Sequence, residues 1–520
     1  MHPYQHAATH PDRLAFVVAD SGESLTYREL DEGSNRLAHL LRSIGLQPGD
    51  RIAIMLKNTA DFPLLYWAAQ RSGLFMALLS THLKPAEAAY IVNDSGARAL
   101  FFSTAVGETP AVLLAQRETL IPAITHCFDV GDSPLPGAQS LWRAAQDMPV
   151  TPIADQVGGY HFLYSSGTTG RPKGIMHKFT PGLIEALSPT EGGTQLYERF
   201  DPLVTFNAGP VYHGAPLSSM LVTQRLGGTF VTLYKFDALA ALRAIQEYQV
   251  CAAQFVPTMF VRMLALPNEV RSAADTSSLK YVLHAAAPCA VGIKRQMIDW
   301  WGPIIDEYYG ATENIGATYI RAAEWLEKPG SVGRSLQGAM HICDEAGNEL
   351  PPGEDGILYF EVAEGRGSDY LNDADKTSSS RHPQHPEWAT VGDVGHLDED
   401  GYLFLTDRKD FTIISGGVNI YPQAIEDTLI LHPCVLDVAV IGIPNPEFGE
   451  EVKAIVQPLH WEDAGDELRR QLDDWCHERI SAITCPRSYQ FVEELPRLPS
   501  GKLAKKELRK LFGGDAPWTR

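Results

Sequence analysis

Near the amino terminus, apolar residues recur at helical spacing after a strong signal for the start of a helix. Thr26 and Glu29 fit a capping box, in which each side chain accepts a hydrogen bond from the backbone N–H of the other residue. The apolar residues on the face that follows are Leu30, Leu37, Leu40, Leu41 and Ile44. Residues 51–56 then form a short apolar run typical of a buried strand, and a second helical stretch begins near Ala60. This part of the chain therefore predicts strands that alternate with helices.

The same alternation recurs through residues 200–310, where the apolar run 229–234 precedes a helical pattern at 238–248. Such a rhythm is typical of α/β layers with largely parallel sheets. After residue 330 the pattern changes to short strands and turns. Residues 344–348 and 398–401 are hairpin-like, and the second leads into the apolar run 402–406. A β-rich subdomain is predicted there.

A final segment follows the charged residues 407–410 and has its own helix and strand signals. These signals lie at residues 422–431, 435–442, 453–457 and 468–480. A chain of 520 residues also exceeds what one hydrophobic core usually serves. We therefore expect an α/β protein with a large N-terminal domain, made of layered α/β subdomains and the β-rich subdomain, and a small mobile α+β lid domain at the C-terminus.

Composition limits the function classes. The net charge of −21 argues against binding to nucleic acid or to anionic membranes. The seven cysteines are scattered without a C-x-x-C pair, so we expect free thiols rather than disulfides or a zinc site. The N-terminus shows no signal-peptide pattern, and no apolar stretch approaches the ~18 residues of a membrane span. A cytoplasmic protein without a membrane span is expected.

A loop rich in glycine and hydroxyl groups directly follows the apolar run 160–164. It reads Tyr164-Ser-Ser-Gly-Thr-Thr-Gly-Arg-Pro-Lys-Gly174. Backbone N–H groups and hydroxyls in such a loop can converge on a polyphosphate. The P-loop motif of common ATPases does not fit, because Pro172 precedes the lysine and Gly174 follows it. A flexible linker is disfavoured, since the loop lies between two apolar segments.

Every position from Ser165 to Lys173 fits the signature of the adenylate-forming superfamily. The chain resembles its acyl-CoA synthetases, firefly-type luciferases and peptide-synthetase adenylation domains, from the Thr26 helix to Lys502. The resemblance implies that the loop binds the phosphates of ATP. The loop residues that it assigns to ATP are Ser165, Ser166, Gly167, Thr168, Thr169, Gly170 and Lys173.

A second stretch, Glu307-Tyr-Tyr-Gly-Ala-Thr-Glu313, matches the Tyr-Gly-x-Thr-Glu motif of this superfamily. The resemblance implies that Tyr309 stacks on adenine, that Thr312 meets the α-phosphate and that Glu313 ligates Mg²⁺. One carboxylate is enough for magnesium, which keeps phosphate oxygens and water as its other ligands. The nucleotide-binding residues in this stretch would also include Glu307, Tyr308 and Gly310. Glu307 stands where relatives often carry Asn, which leaves open its contact with the adenine amino group.

Two further segments complete the resemblance to a nucleotide site. Residues 285–288, with Ala286, resemble the small-residue segment that skirts adenine and the acid pocket, although a tightly packed strand end explains them equally well. Asp393 matches the aspartate that binds both ribose hydroxyls, and Arg408 matches the arginine that shares this role. Val391 departs from the usual Thr before Gly-Asp, which leaves one hydroxyl contact open.

The resemblance also divides the chain and assigns the lid. It places the hinge at Asp410, which gives an ATP- and acid-binding body at residues 1–409 and a lid at 410–520. Gly417 would let the pantetheine arm of CoA pass, and Lys502 would bridge the carboxylate of the acid and the α-phosphate. His213 aligns with a histidine at the border of the acid pocket. A gating or structural role suits His213 better than that of a base, because a carboxylate is already ionised at neutral pH.

The function predicted on this basis is an AMP-forming acid–CoA ligase for a hydrophobic carboxylic acid, with ATP, Mg²⁺ and CoA. The stretches 284–289, 300–303, 324–326 and 330–334 most resemble bacterial ligases of fatty acids, bile acids and steroid side chains, and an aryl acid such as a hydroxycinnamate remains open. A domain that loads a carrier protein is the nearest alternative, but amino-acid forms carry an aspartate where this chain has Asn207. A luciferase-like monooxygenase and a non-catalytic sensor are further alternatives, and a homodimer is a further expectation.

Overall fold

The computed structural model describes residues 1–165, 172–177, 182–186, 194–362, 368–498 and 502–513. The chain divides into two compact units, each assembled from separated stretches. Unit one comprises Met1–Gln254, Ala274–Tyr281 and Gly365–Thr377. Unit two comprises Phe255–Ala273, Val282–Glu364 and Ser378–Arg520.

Strands and helices alternate along the chain as the sequence predicts. The strands are β1 Leu14–Val18, β2 Glu23–Thr26, β3 Arg51–Met55, β4 Phe75–Leu78, β5 Ala99–Phe102, β6 His126–Asp129, β7 Gln139–Ser140, β8 Tyr160–Ser165, β9 Lys173–His177, β10 Val204–Asn207, β11 Thr229–Thr232, β12 Ala252–Phe255, β13 Tyr281–His284, β14 Ile305–Gly310, β15 Ala317–Ile320, β16 Ser331–Ser335, β17 Met340–Cys343, β18 Gly356–Glu361, β19 Ser368–Tyr370, β20 Trp388–Ala389, β21 Asp393–Leu397, β22 Leu403–Arg408, β23 Ile413–Ser415, β24 Val418–Ile420, β25 Val435–Asn445, β26 Gly449–Pro458 and β27 Ser488–Phe491. The α-helices are α1 Pro3–Thr9, α2 Tyr27–Ser43, α3 Asp61–Arg71, α4 Pro85–Asp94, α5 Thr109–Ala115, α6 Arg117–Leu120, α7 Leu141–Ala145, α8 Gly214–Arg225, α9 Ala238–Glu247, α10 Pro257–Leu264, α11 Asn268–Ala273, α12 Val291–Trp301, α13 Ala322–Glu327, α14 Ala374–Ser379, α15 Pro422–Leu429, α16 Asp466–His477 and α17 Lys505–Phe512.

Unit one contains two stretches of largely parallel sheet. One has the strand order β19-β9-β8-β4-β3-β5-β6-β7, and the other has the order β12-β10-β11-β1-β2. Helix α2 directly follows β2 as predicted, and the capping box of Thr26 and Glu29 forms at its first turn. Its apolar face is buried, with Leu30, Leu37 and Leu41 fully inaccessible. Amphipathic helices on parallel strands give this unit its hydrophobic core.

Unit two contains a sheet of mixed direction and a smaller sheet near the C-terminus. In the first, β13 and β14 are parallel, and the order continues through β15, β16, β22, β21, β18 and β17 with antiparallel pairs. The smaller sheet has the order β24-β23-β26-β25, and β27 pairs with β26 in parallel. Helices α15 and α16 pack on this sheet, and the hydrophobic core between them includes Ile425, Leu429, Val440 and Leu472. This is the small α+β region expected after residue 410.

The structure confirms the predicted α/β class, and it corrects element boundaries. Strand β9 begins at Lys173 instead of near residue 175, because Ser165 and Lys173 pair across β8 and β9. Strand β22 extends to Arg408, through the charged residues expected to end it. All seven cysteines are free thiols. Among the described helices, none combines the length and the apolar character that crossing a membrane requires.

Candidate nucleotide and acyl-activation site

The glycine-rich loop joins two antiparallel strands in unit one. Ser165 at the end of β8 pairs with Lys173 at the start of β9, and Tyr164 pairs with Gly174. A side chain at Gly174 would meet Leu371 and the Tyr164 ring at 3.1 Å, so the packing favours glycine there. The residues on either side of the loop are therefore held together by strand pairing, unlike the ends of a flexible linker. The side chain of Ser165 and the whole of Ser166, Gly167, Thr168, Thr169 and Gly170 lie outside the described residues.

Lys173 is the first residue of β9, directly after this loop. Its Nζ lies 2.7 Å from Oδ2 of Asp373 and 5.7 Å from the centre of the Tyr370 ring. Its side chain is only 14% exposed. The ion pair ties the loop to the stretch around β19, which pairs with β9. Asp373 was not identified from the sequence, because nothing in the local pattern links it to a lysine two hundred positions earlier.

Asn207 and His213 mark the predicted acid pocket in unit one. The Asn207 side chain is buried; its Nδ2 donates to Gln254 at 3.0 Å, and its Oδ1 accepts from the N–H of Gly209 at 2.9 Å. Both ends of this amide are thus engaged within the protein. His213 precedes α8 and is half-buried, with its ring 4.8 Å from that of Tyr212.

In unit two, three of the predicted nucleotide residues meet directly. The hydroxyl of Tyr309 donates to Oδ2 of Asp393 at 2.5 Å, and Nε of Arg408 lies 3.0 Å from Oδ1 of the same carboxylate. Asp393 and Arg408 are cross-strand partners on β21 and β22. Tyr309 also stacks against Phe360, with ring centres 6.2 Å apart. The fold therefore assembles residues from three strands around one carboxylate.

The electrostatics of this group follow from burial and from Asp393. Burial and the Asp393 carboxylate raise the pKa of Tyr309 well above its usual value, which keeps the phenol protonated as a donor. Burial acts to lower the pKa of Arg408, and Asp393, Tyr309 and Glu313 together outweigh it and raise that pKa. An ionised carboxylate offers about four acceptor positions, so Asp393 keeps capacity for further hydroxyl donors.

Lys502 joins the same group from the C-terminal region of unit two. Lys502 is exposed to solvent, yet crowding by the surrounding protein and the positive charge of Arg408 lower the pKa of its ammonium, and Asp393 and Glu313 act in the opposite direction. Four predicted residues from distant parts of the sequence thus act on one another electrostatically. Arg408 and Lys502 are neighbouring cations, and a bound anion would reduce the repulsion between them.

Glu307 is bound by a lysine and a histidine that the motif analysis missed. Its Oε2 lies 2.7 Å from Nζ of Lys294 and 3.2 Å from Nε2 of His284, and all three side chains are buried. Burial acts to raise the pKa of Glu307, and the charges of its partners hold that pKa at about 2. Burial lowers the pKa of His284, against the opposing effect of Glu307. A charged residue among the buried apolar positions of α12, such as Ile293 and Met297, was the available sequence signal.

The remaining residues of the second motif are more accessible. Gly310 and Thr312 are exposed, and Tyr308 and Glu313 are half-buried. Ala286 is exposed and adopts a φ of 78°, a conformation that non-glycine residues seldom take. Such backbone strain marks sites where function constrains the chain.

The predicted lid residues lie in two turns. Gly417 has a φ of 82°, and open space surrounds the position of a Cβ, so backbone conformation and not crowding requires the glycine. Asp410 lies in the 3-10 turn Lys409–Phe411, directly after β22, and its carbonyl accepts a hydrogen bond from Arg509 at 3.1 Å. Neither observation tests a hinge or a pantetheine path, which stay predictions.

No cluster of three or more metal-ligating side chains occurs within the part of the chain that the structure describes. Glu313, half-buried beside Lys502, would supply a single carboxylate, and this arrangement suits a magnesium ion whose other ligands are phosphate oxygens and water.

Comparison with known proteins matches nearly the whole chain. A model of the AMP-binding enzyme family matches residues 4–364, and one of the AMP-binding enzyme C-terminal domain matches residues 424–502. A feruloyl-CoA synthase of an Amycolatopsis species is 33% identical, over 98% of each chain. A long-chain-fatty-acid–CoA ligase of Mycobacterium tuberculosis is 29% identical, over 99% of this chain and 98% of the other. The solved structure of ATP-bound MatB from Rhodopseudomonas palustris is 27% identical, with a TM-score of 0.79 over 99% of each chain.

Proposed function

The chain belongs to the AMP-binding enzyme family, and on that premise we propose that it joins a hydrophobic carboxylic acid to CoA with the consumption of ATP. In the first step, a carboxylate oxygen attacks the α-phosphorus of ATP, and the bond to pyrophosphate breaks. In the second, the CoA thiolate attacks the acyl carbon, and AMP leaves with the bonding electrons. Neither step requires a covalent bond to the protein, so the seven free cysteines need no catalytic role.

The observation that supports this proposal most directly is the contact of Tyr309 and Arg408 with the Asp393 carboxylate, at 2.5 and 3.0 Å, within electrostatic range of Lys502. A lysine there can neutralise charge on the acid and on the α-phosphate. Fixed charges of this kind act strongly when water is partly excluded, and they dominate phosphoryl chemistry.

The nucleotide contacts follow from the same group. Tyr309 and Arg408 fix the Asp393 carboxylate from two sides, which leaves its remaining acceptor positions for the ribose hydroxyls. Lys173 and the glycine-rich loop would bind the phosphates, and Glu313 would hold Mg²⁺. When ATP binds, Lys173 must exchange its contact with Asp373 for phosphate oxygens, or share it.

The environment of Asn207 supports an acid without an α-ammonium group. Its amide is hydrogen-bonded at both ends within the protein, and it carries no negative charge that could pair with an ammonium group. A buried ammonium without a partner costs several kcal/mol, equivalent to a discrimination of ~10²-fold or more. Amino acids should therefore be poor substrates.

Two kinds of apolar acid fit, and the relatives differ on this point. The relative named as acting on long-chain fatty acids is 29% identical, and the one named as a feruloyl-CoA synthase is 33% identical. We take a hydrophobic carboxylic acid as the substrate class, with an aryl acid of the ferulate type as the second candidate. A cytoplasmic location and a homodimer stay predictions.

A substrate panel tests the proposal. Pyrophosphate release, AMP and acyl-CoA are measured with palmitate, octanoate, a bile acid, ferulate, benzoate and several amino acids, each with and without CoA. We expect acyl-CoA from at least one apolar acid and stoichiometric AMP only when CoA is present. Strong amino-acid-dependent pyrophosphate exchange, without acyl-CoA from any apolar acid, would assign the chain to the carrier-loading enzymes instead.

A further inference from the structure

The ion pair of Lys173 and Asp373 lies directly after the predicted phosphate loop, within unit one. Nζ and Oδ2 are 2.7 Å apart, and the side chains of Lys173 and Asp373 are 14% and 33% exposed. The lysine assigned to phosphate is thus already engaged by a carboxylate of the same chain. A phosphate group and this carboxylate would compete for one ammonium group.

The backbone that carries Asp373 is fixed against the strand that carries Lys173. Strand β19 pairs with β9 in antiparallel register. Directly after β19, the backbone N–H of Leu371 donates to the carbonyl of Gly174 at 2.7 Å. Gly174 is the neighbour of Lys173, so these backbone hydrogen bonds set the separation between the two residues of the ion pair.

Side-chain hydrogen bonds hold the same turn from two further directions. Nδ2 of Asn372 donates to Oδ1 of Asp94 at 3.1 Å, and the other oxygen of Asp94 accepts from the hydroxyl of Tyr164 at 2.8 Å. On the far side of the turn, Oγ1 of Thr377 donates to the carbonyl of Asp373 at 3.1 Å. The fold therefore sets the position of this carboxylate beside the lysine, and the ion pair is not a chance contact of two flexible side chains.

Competition for the lysine suits a ligand group that must leave again. The proposed function gives Lys502 the carboxylate of the acid and the α-phosphate, so the β- and γ-phosphates are the partners that remain for Lys173. These two phosphates become the pyrophosphate that leaves after adenylation. Binding energy that acts equally on ATP and on pyrophosphate would retain the product as well as the substrate. A carboxylate that takes the lysine back reduces this retention.

We propose that Asp373 competes with the β- and γ-phosphates for Lys173, and that it thereby weakens the binding of ATP and assists the release of pyrophosphate. This proposal rests on the proposed function, because that function supplies the nucleotide. Asp373 is a positioning residue, since it acts through Lys173 and not on the reacting atoms. The Tyr370 ring, whose centre lies 5.7 Å from Nζ, borders the position to which the lysine returns.

The variant Asp373→Asn keeps the shape of the side chain and removes its charge. In calorimetric titrations it should bind Mg-ATP and pyrophosphate each about 5- to 10-fold more tightly than wild type, because a competing charge-assisted hydrogen bond is weakened. AMP lacks both of these phosphates, so its affinity should stay within about twofold of wild type. Asp375→Asn is the matched control, because it removes the same charge two residues later, from an exposed position in α14.

The direction of the change separates competition from a structural role. Damage to the turn, or loss of a residue that directs Lys173 toward phosphate, would weaken the binding of ATP. Direct repulsion between Asp373 and phosphate would persist without the lysine, whereas competition requires it. Asp373→Asn should therefore leave ATP affinity unchanged in the Lys173→Met background. The proposal is wrong if Asp373→Asn weakens ATP binding, matches Asp375→Asn, or gains equally in both backgrounds.

Turnover tests the release of pyrophosphate in the full reaction. In Asp373→Asn, the inhibition constant of pyrophosphate and the KM for ATP should both fall by the factor seen in the titrations, while the KM for CoA should not change. An inhibition constant equal to that of wild type would refute the assisted release. If nucleotide binding follows these expectations and wild type forms no acyl-CoA from any acid, the proposed function alone is wrong.

Discussion

The buried pair of Lys294 and Glu307 allows a quantitative prediction. Lys294 is fully inaccessible and Glu307 is 6% exposed, with 2.7 Å between Nζ and Oε2. At that distance and an effective dielectric constant of about 20, their attraction is about 6 kcal/mol, most of which offsets the cost of removing both charges from water. Removal of one partner leaves the other charge buried. Lys294→Met and Glu307→Gln should therefore each lower the free energy of unfolding by about 3–5 kcal/mol.

The double variant separates this pair from ordinary packing loss. Lys294→Met together with Glu307→Gln removes both charges, so its cost should fall short of the sum of the two single costs by at least about 1 kcal/mol. Urea denaturation followed by circular dichroism measures all four proteins. Lys328→Met is a control, because Lys328 pairs with Asp398 and Asp400 at a partly exposed site, where ion pairs contribute ~1 kcal/mol or less.

The contribution of Glu307 should also depend on pH with a defined sign. Its pKa in the folded protein is about 2, below the usual 4.5. The unfolded chain therefore binds more protons in this range, so the stabilisation is complete above pH 4.5 and declines as the pH falls toward 2. The difference in unfolding free energy between wild type and Glu307→Gln should shrink over that interval. Additive single costs, or a difference that is constant with pH, would refute the assignment of the charged pair.

Three further predictions concern the lid and its attachment. Lys502→Ala should slow acyl-adenylate formation by about 10²–10³ and leave transfer from supplied acyl-AMP largely intact, and equal damage to both half-reactions would contradict the role of this lysine. Asp410→Pro fixes φ in the turn after β22, so adenylation should survive while transfer to CoA slows strongly; single-turnover transfer at the wild-type rate would show that the pivot lies elsewhere. Burial and the neighbouring Glu426 raise the pKa of Asp427 to about 7, against the opposing effects of Gln423 and Lys505. Wild type should therefore lose stability as the pH rises from about 4 through about 7, and Asp427→Asn should not. If the difference in melting temperature between wild type and Asp427→Asn is the same at about pH 5 and about pH 8, this assignment is wrong.

The sequence predicted the family, the α/β class and the ligase function, and these predictions are confirmed by the family models and by the relatives. Local patterns predicted individual elements well. Thr26 and Glu29 form the predicted capping box, and the apolar face of α2 is buried. The grouping of Asp393, Arg408 and Lys502 was also anticipated, through motifs, although their roles remain predictions.

Contacts that depend on tertiary packing were not predictable. Lys294 and His284 reach Glu307 because β13 and β14 lie in parallel register, with His284 opposite Glu307, and α12 packs beside them. No local pattern encodes a register between strands that are about twenty residues apart. The partnership of Lys173 with Asp373 has the same origin, since it depends on β19 pairing with β9.

The composition of unit one has a consequence for how the chain folds as it is synthesised. Unit one draws on the stretch Gly365–Thr377, whose strand β19 completes a sheet by pairing with β9. Until that stretch emerges from the ribosome, β9 remains the edge of its sheet, with unpaired backbone groups that another chain could join. A large part of unit two, including Val282–Glu364, is synthesised in the meantime. Domains usually fold one after the other during translation. Here unit one cannot be complete until part of unit two has been synthesised, because its last stretch follows that part in the sequence.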